Sequence, residues 1–563
     1  MNEGYEFVVW ADNQSGDAYN IEALSYEGEA NSIKSPPISA GDFIIVDDKD
    51  QNSSWFGQVI EPQRNLALQG LSRDNPSNIA AMERVLSGSV ESSIFLRQVY
   101  YYHIRLMGEI DWESKRLRSV IRRPRAGACG RRASEIEVLH YLDLPPLKDF
   151  DNPQHSLIGR VYGVNIPIAL DDKRLYQHLL VAGATGSGKS NTVANVIKAA
   201  QAYGMCVIVF DHKPDYQNVH EPNDEISLFR KYEAFNFNQF GLDNVQYFSL
   251  YEKDDDNKFN KNEKQIAVRA SDVPSIMLGA SMFYRQGEEL QREAFGILAN
   301  EFISGGKRDK WTLDDFLEWY HKQNTQQLSA IFEGTPPMDS VLSAMERRLK
   351  ARRPTWMDSF GAVEQKRSST FDNKKTEKSD YFVPASYLQK GKVLVIRVNT
   401  NGAEYGLFLS YMLREVYNLR RNKNISFPIL NIIDEAQDIF QAEKEVRNTA
   451  THAINEILRK GRSKQVGFVF AVQSATQLPN DILNNLNSRI IHRQNTREEL
   501  QNAIPGASRE LLNSALSFGA GEALVSILGA RGIIHGEMAP SPFMLTKDMP
   551  MSLGTLADQY KDK

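Results

Sequence analysis

Apolar residues in the N-terminal part of the chain recur in short runs that are bounded by Gly, Asp, Asn and Pro. Three such runs lie at 43–46, 56–60 and 94–102. Runs of this length and spacing predict short β-strands, and several in succession suggest a small barrel. We therefore predict an N-terminal β-barrel domain over residues 1–150.

From about residue 155 the apolar runs alternate with helical segments. Strands are predicted at 178–182, 205–210, 393–397, 429–433, 466–472 and 489–492, with a helix at 191–203. This alternation is typical of an α/β domain with a parallel sheet. Between about 222 and 385 the pattern is instead helical and charged. The strongly polar stretches at 252–264 and 365–380 are expected to be exposed or mobile.

The glycine-rich run at 183–190 lies directly after a predicted strand and opens a predicted helix. It reads GATGSGKS and matches the phosphate-binding pattern G-x-x-x-x-G-K-[ST]. In such a loop, backbone N–H groups wrap a phosphate and the helix N-terminus adds positive potential. Lys189 would contact the β- and γ-phosphates of ATP, and Ser190 would offer its hydroxyl to Mg²⁺. The alternative, an incidental glycine-rich turn, would not require the strand, lysine, serine and helix together.

The predicted ATP-binding residues form one continuous segment. They are Gly183, Ala184, Thr185, Gly186, Ser187, Gly188, Lys189, Ser190 and Asn191.

The alternating strands and helices, together with this phosphate loop, predict an α/β fold class with a RecA-like P-loop core around a parallel sheet. The predicted parts are the barrel at 1–150, the core at 151–225 and 389–535, a helical insertion at 226–388, and a C-terminal tail at 536–563.

Two adjacent carboxylates follow the apolar strand predicted at 429–433. Asp434 is expected to hold the Mg²⁺ shell, and Glu435 to polarise the attacking water as a general base. A bare nucleotide switch needs no such base, so the pair favours hydrolysis. The alternative is that the two residues only cap the start of the next helix.

Further candidates flank the strand predicted at 466–472. Gln473, at its end, is placed to sense the γ-phosphate, although a glutamine there can also cap the next turn. Arg459 and Arg462 belong to a basic cluster before the strand, which by itself is more typical of a solvated helix end. Such a cluster can also present an arginine to a nucleotide bound by a neighbouring subunit.

Composition narrows the class of protein. The formal net charge of −5 does not exclude DNA binding, because a ring can carry its basic groups in a pore. Cys129 and Cys206 lie far apart, so neither a disulfide framework nor a zinc site is expected, and a reducing cytoplasm fits best. The sequence shows no signal-peptide pattern and no apolar run of about eighteen residues, so no membrane span is expected.

Together these motifs resemble the HerA family of hexameric DNA translocases, within the larger HerA/FtsK group. The segments that carry the likeness are 156–163, 178–191, 434–437, 459–474 and 483–492. The N-terminal part is similar to the small β-barrel that precedes the ATPase in this family.

The resemblance implies a homohexameric ring that hydrolyses ATP and moves double-stranded DNA. It implies that Arg462 acts in trans as an arginine finger, with Arg459 as a second candidate. Family members usually work with an effector that docks on the barrel. The effector is a nuclease in DNA end resection, or a sirtuin-type NAD-consuming protein or another nuclease in anti-phage defence. The long insertion favours the defence type.

The chain departs from the family pattern in two places. Residues 211–215 read DHKPD where the family usually has Asp-Pro-His-Gly, which leaves the roles of Asp211 and Asp215 open. The sensor strand continues Gln-Ser-Ala-Thr where the family often has Gln-Arg-Pro. Arg489 or Arg493 is a candidate replacement for the missing arginine.

Other classes of function are compatible with parts of the pattern. A ring scaffold that assembles an effector enzyme, with ATP as its regulator, would use the same motifs. A conjugation-type coupling ATPase is disfavoured because such proteins usually carry a transmembrane segment. A GTPase is disfavoured because no Asn-Lys-x-Asp motif follows a strand.

Overall fold

The structure of the chain is a computed structural model. It describes residues 6–12, 20–26, 38, 41–60, 64–65, 99–148, 153–250, 263–306, 309–333, 337–358, 381–398, 402–440 and 444–546. The polar stretches predicted at 252–264 and 365–380 lie almost entirely outside these residues.

The N-terminal strands form one antiparallel sheet that closes on itself. They are β1 (Phe7–Asp12), β2 (Asn20–Tyr26), β3 (Phe43–Asp48), β4 (Ser53–Val59), β5 (Arg64–Asn65), β6 (Val99–Asp111), β7 (Arg116–Arg118) and β8 (Cys129–Arg132). Their order is β2-β1-β8-β3-β4-β6-β5, and β7 pairs with β6. Because β6 also pairs with β2, the strands close the ring, which confirms the predicted small barrel.

Successive side chains of a strand point to opposite faces of the sheet. In the barrel, the side chains on the inward face are apolar. Trp55 and Ile104 are fully buried there. The predicted runs at 43–46 and 56–60 fall on β3 and β4. The run at 94–102 lies partly outside the described residues, and its described part opens the long strand β6.

A second sheet of twelve strands forms the core of the chain. Its strands are β9 (Leu157–Val161), β10 (Pro167–Ala169), β11 (Leu179–Ala182), β12 (Cys206–Asp211), β13 (Val245–Leu250), β14 (Lys264–Ile266), β15 (Val393–Arg397), β16 (Ile429–Ile433), β17 (Val466–Val472), β18 (Ser488–His492), β19 (Glu522–Ser526) and β20 (Ile534–Met538). The order is β10-β9-β20-β19-β18-β11-β17-β16-β12-β15-β13-β14. Neighbours from β18 to β14 are parallel, and those from β10 to β18 are antiparallel.

Helices pack on both faces of this sheet. The described α-helices are α1 (Glu135–Leu142), α2 (Asp172–Leu175), α3 (Lys189–Ala202), α4 (Ser275–Met282), α5 (Glu289–Gly306), α6 (Leu313–His321), α7 (Thr325–Ile331), α8 (Asp339–Ala351), α9 (Gly402–Arg421), α10 (Gln437–Phe440), α11 (Lys444–Lys460), α12 (Asn480–Leu483), α13 (Arg497–Ala503) and α14 (Arg509–Ala515). Leu180 and Ile208 pack with α9 and α11 on one face, whereas Val181 and Val207 pack with α3 on the other. The central strands are thus covered on both sides, which explains their unbroken apolar sequences.

Two predicted boundaries differ from the structure. The predicted helical insertion at 226–388 contributes β13 and β14 to the sheet. The predicted tail at 536–563 begins inside β20, and Phe543 beyond it is fully buried. Strands β13, β14 and β20 all mix polar and apolar residues, so none of them gives the continuous apolar run that marked the central strands. Among the described helices, none has the length and apolarity needed to cross a membrane.

Candidate nucleotide site

The predicted phosphate loop connects β11 to α3 at the carboxyl edge of the parallel strands. Gly186 and Gly188 have φ angles of 75° and 106°, a region that glycine adopts without strain. The Ala184 N–H donates to the Arg493 carbonyl (2.9 Å), which fixes the loop to the end of β18. Helix α3 begins at Lys189, and the N–H groups of its first turn have no partner within the helix. The loop therefore presents N–H groups to an anion.

Gly183 is required by close packing. A Cβ at this position would lie 2.4 Å from Ser187 Oγ and 2.8 Å from His492 Cβ. Both of these side chains are buried. An added methyl group would therefore displace the phosphate loop.

We expect Gly183→Ala to raise the Kd for ATP about tenfold or more, because an overpacking strain of about 1–3 kcal/mol is relieved by moving the loop out of the geometry that binds phosphate. Titration with a fluorescent ATP analogue measures the effect. Gly296→Ala in α5 is the matched control, since a Cβ there meets no atom within 4 Å. Equal affinities of the two variants would contradict the packing argument.

The two predicted carboxylates follow β16, and Glu435 has a left-handed backbone with φ of 47°. Its Oε1 lies 3.3 Å from Lys189 Nζ, and its Oε2 accepts a hydrogen bond from Gln473 Nε2 (3.2 Å). Gln437 Nε2 also donates to Oε2. The structure thus brings together Lys189, Glu435 and Gln473, which are far apart in sequence.

Electrostatics separate the two carboxylates. Burial by itself would raise the pKa of Glu435, but Lys189 and Lys213 and the Gln437 hydrogen bond lower that pKa to about 2. Burial raises the pKa of Asp434 to about 7; Lys189 opposes this rise, and the nearby carboxylates add to it. Glu435 is therefore a stable carboxylate, whereas burial disfavours the charged form of Asp434 more strongly than Lys189 favours it.

The residues at this edge fit a magnesium ion. Asp434 Oδ1 is buried without a hydrogen-bond partner. Ser190 Oγ donates to Asp215 Oδ2 (2.8 Å), which leaves the lone pairs of its hydroxyl for a cation. Among the described residues, no group of three or more His, Cys, Asp or Glu side chains forms a metal site. Mg²⁺ is commonly held by one or two protein ligands together with phosphate oxygens and water.

The loop after β12 contributes contacts that the sequence did not predict. Asp211 is fully buried and accepts from the Tyr216 N–H (3.2 Å) and from Gln217 Nε2 (2.8 Å). This fold of the loop places Asp215 on Ser190 and places Lys213 Nζ 2.8 Å from Glu435 Oε1. One signal was available: the loop follows a parallel strand beside β16, so it reaches the same edge of the sheet as the phosphate loop.

Two candidates have other contacts in the structure. The side-chain oxygen of Asn191, predicted to bind ATP, accepts from the Ser541 N–H (3.0 Å) and so ties α3 to the C-terminal segment. The guanidinium of Arg489, a candidate for the missing arginine, donates to the carbonyls of Leu483 (2.9 Å) and Ala503 (2.8 Å). Arg493 is exposed beside the phosphate loop.

Arg459 and Arg462 lie away from the other predicted site residues. Both are exposed, Arg459 in the last turn of α11 and Arg462 in the short 3-10 helix Gly461–Lys464 before β17. Gln473 directly follows β17 at its other end. A seven-residue strand is about 20 Å long, so the two arginines lie at the opposite edge of the sheet from Gln473.

His178 supports this opposite edge. Its Nε2 lies 3.1 Å from the Leu458 carbonyl, near the end of α11. Burial lowers the pKa of His178 to about 4, so the ring is neutral and Nε2–H is the donor to that carbonyl. The helix end that carries Arg459 is therefore fixed to the strand that leads into the phosphate loop.

The chain is similar in sequence to several known proteins. The chain is 24% identical over 405 residues to the DNA double-strand break repair helicase HerA of Saccharolobus solfataricus, covering 70% of this chain and 68% of that protein. It is 21% identical to a probable helicase of Methanocaldococcus jannaschii, covering 91% and 88% of the two chains. A solved structure of the bacterial conjugative coupling protein TrwB matches 69% of this chain and 92% of that chain, with a TM-score of 0.43 and 15% identity.

The family model described as "Helicase HerA, central domain" matches residues 156–504. Because this match spans more than half of the sequence, the chain belongs to the HerA helicase family of P-loop ATPases.

Proposed function

We propose that the chain forms a homohexameric ring that hydrolyses ATP to move double-stranded DNA, together with an effector protein. The effector would be a nuclease or a sirtuin-type NAD-consuming protein, in anti-phage defence or in DNA end processing. The relatives named as DNA double-strand break repair helicases support the DNA-directed part of this proposal. The position of Arg462 supports the ring.

The hydrolysis step uses residues that meet at one edge of the sheet. Lys189 and the N–H groups of the phosphate loop bind the phosphates, and Ser190 and Asp434 would hold Mg²⁺, which supplies positive charge to the phosphate oxygens. Glu435 takes a proton from water as the water oxygen bonds to the γ-phosphorus. The bond from that phosphorus to the bridging oxygen breaks, and ADP and phosphate leave. Gln473, hydrogen-bonded to Glu435, would sense the γ-phosphate.

The position of Arg462 is the observation that supports the proposed ring of subunits. Strand β17 separates it from Gln473 and Glu435 of its own subunit by about 20 Å, which is farther than an arginine side chain reaches. Any contact of Arg462 with a nucleotide must then be with one bound to another subunit. Closed rings are a common outcome of such head-to-tail contacts.

We expect double-stranded DNA to stimulate ATP hydrolysis by the purified full-length chain, and the stimulation to weaken with added salt because phosphate contacts release counterions. Phosphate release with and without a long duplex measures this. Single-stranded DNA of equal nucleotide content is the control, and native mass spectrometry reports the number of subunits. ATPase activity that DNA leaves unchanged, in a ring that copurifies with a stoichiometric enzyme, would instead support an ATP-regulated scaffold.

A further inference from the structure

Glu435 receives more donors than its proposed role as a base requires. Its Oε1 contacts two lysines, Lys213 Nζ at 2.8 Å and Lys189 Nζ at 3.3 Å. Its Oε2 accepts from the side-chain amides of Gln437 and Gln473. Lys189 belongs to the phosphate loop, so bound ATP would compete with Glu435 for it. Lys213 makes the shorter of the two lysine contacts, and no role in binding the phosphates of ATP has been assigned to it.

The segment that carries Lys213 is fixed on both sides. The His212 ring stacks on Tyr405 with 5.6 Å between centroids. Its Nδ1 lies 3.0 Å from the Val398 carbonyl, and its Nε2 lies 3.0 Å from Asp438 Oδ2. On the other side, buried Asp211 accepts from the backbone of residues 215 and 216. The Lys213 backbone is thus held in place, although its side chain is 47% exposed.

We propose that Lys213 is a positioning residue for ATP hydrolysis, which keeps the Glu435 carboxylate oriented once the phosphates of ATP have engaged Lys189. The Glu435 side chain is 5% exposed, and a buried carboxylate that loses its cation is strongly destabilised. With Lys189 withdrawn, Lys213 remains as the cation on Oε1 while the two amides hold Oε2. The place that Lys189 leaves on Oε1 is then open to the attacking water.

This inference rests on the proposed ATP hydrolysis. It predicts that Lys213 affects the turnover of ATP and not the binding of ATP. Lys213 contacts the base and not the phosphate loop. Its loss should therefore lower kcat and leave KM for ATP within about threefold. An arginine at this position keeps the charge but changes the geometry of the contact. Lys213→Arg should consequently restore part of the activity.

The test compares Lys213→Met and Lys213→Arg with the wild-type chain by steady-state phosphate release. We expect kcat of Lys213→Met to fall about 10- to 100-fold, the usual range for loss of one charged hydrogen bond, and Lys213→Arg to lie between the two. The matched control is Lys322→Met, which removes an exposed lysine whose ion pair is with Glu318 on α6 (2.7 Å). Binding of a fluorescent, non-hydrolysable ATP analogue shows that each variant is folded.

Two results would overturn the inference. Lys213→Met could keep both kcat and KM at the level of Lys322→Met, or it could change KM without changing kcat. The last would make Lys213 a nucleotide-binding residue. Each of these outcomes leaves ATP hydrolysis by the wild-type chain intact. Absence of hydrolysis in the wild-type chain would instead refute the proposed function.

Discussion

Replacing Lys189 with alanine is expected to reduce ATP hydrolysis by at least about 10²- to 10³-fold, the range seen when one preorganised charge-stabilising group is removed. Lys189 opens α3 at the end of the phosphate loop and lies 3.3 Å from Glu435. With Lys189 in the proposed role, its loss removes the point charge next to the β- and γ-phosphates, and we expect it to weaken ATP binding as well. Phosphate release at saturating ATP, together with ATP-analogue binding, measures both effects.

The control for this substitution is Lys310→Ala, which removes an exposed lysine between α5 and α6. It should hydrolyse ATP at the wild-type rate. Because the Lys189 variant loses a side chain that is 11% exposed, thermal melting of both variants should accompany the assay. A folded Lys189→Ala variant with a rate within tenfold of wild type would show that the glycine-rich loop is not the catalytic phosphate site.

The central strands could be predicted from sequence because both of their faces are buried. The runs at 393–397, 429–433 and 466–472 coincide with β15, β16 and β17 residue for residue. Each is apolar without interruption, or nearly so, and the pattern therefore marks both ends of the strand. Strands β13 and β20 carry polar residues at half-buried positions, and that pattern does not distinguish them from loops or tails.

The site was predictable where a short motif fixes the geometry, and not where the tertiary fold does. Lys189 follows the loop after β11 and Glu435 follows β16, and the carboxyl ends of parallel strands meet at one edge of a sheet, so both were expected at that edge. Lys213 reaches Glu435 because Asp211 folds its own loop around a buried carboxylate. The sequence run DHKPD does not reveal this contact.

Arg462→Ala is expected to lower kcat for ATP by about 10³- to 10⁵-fold, the range reported for arginine fingers, while ATP binding stays nearly intact. The reason is the position of Arg462 at the edge of the sheet opposite its own phosphate loop. It would touch the transition state of a neighbouring subunit and leave its own nucleotide contacts unaltered. Phosphate release and ATP-analogue binding separate the two effects. Arg459→Ala tests the second candidate, and Arg347→Ala, an exposed arginine on α8, is the matched control.

Mixing two inactive variants gives a sharper test of action in trans. Subunits with Lys189→Ala keep Arg462, and subunits with Arg462→Ala keep Lys189. In the proposed ring, each site takes Lys189 from one subunit and Arg462 from the adjacent subunit. After subunits exchange in an equal mixture of the two variants, about one quarter of the sites then contain both residues. Activity should return to a comparable fraction of the wild-type activity. If Arg462 served its own subunit, every site in the mixture would lack one of the two residues. Activity would then stay at the level of the separate variants after subunit exchange, and the site at the phosphate loop would have to be completed from within one chain.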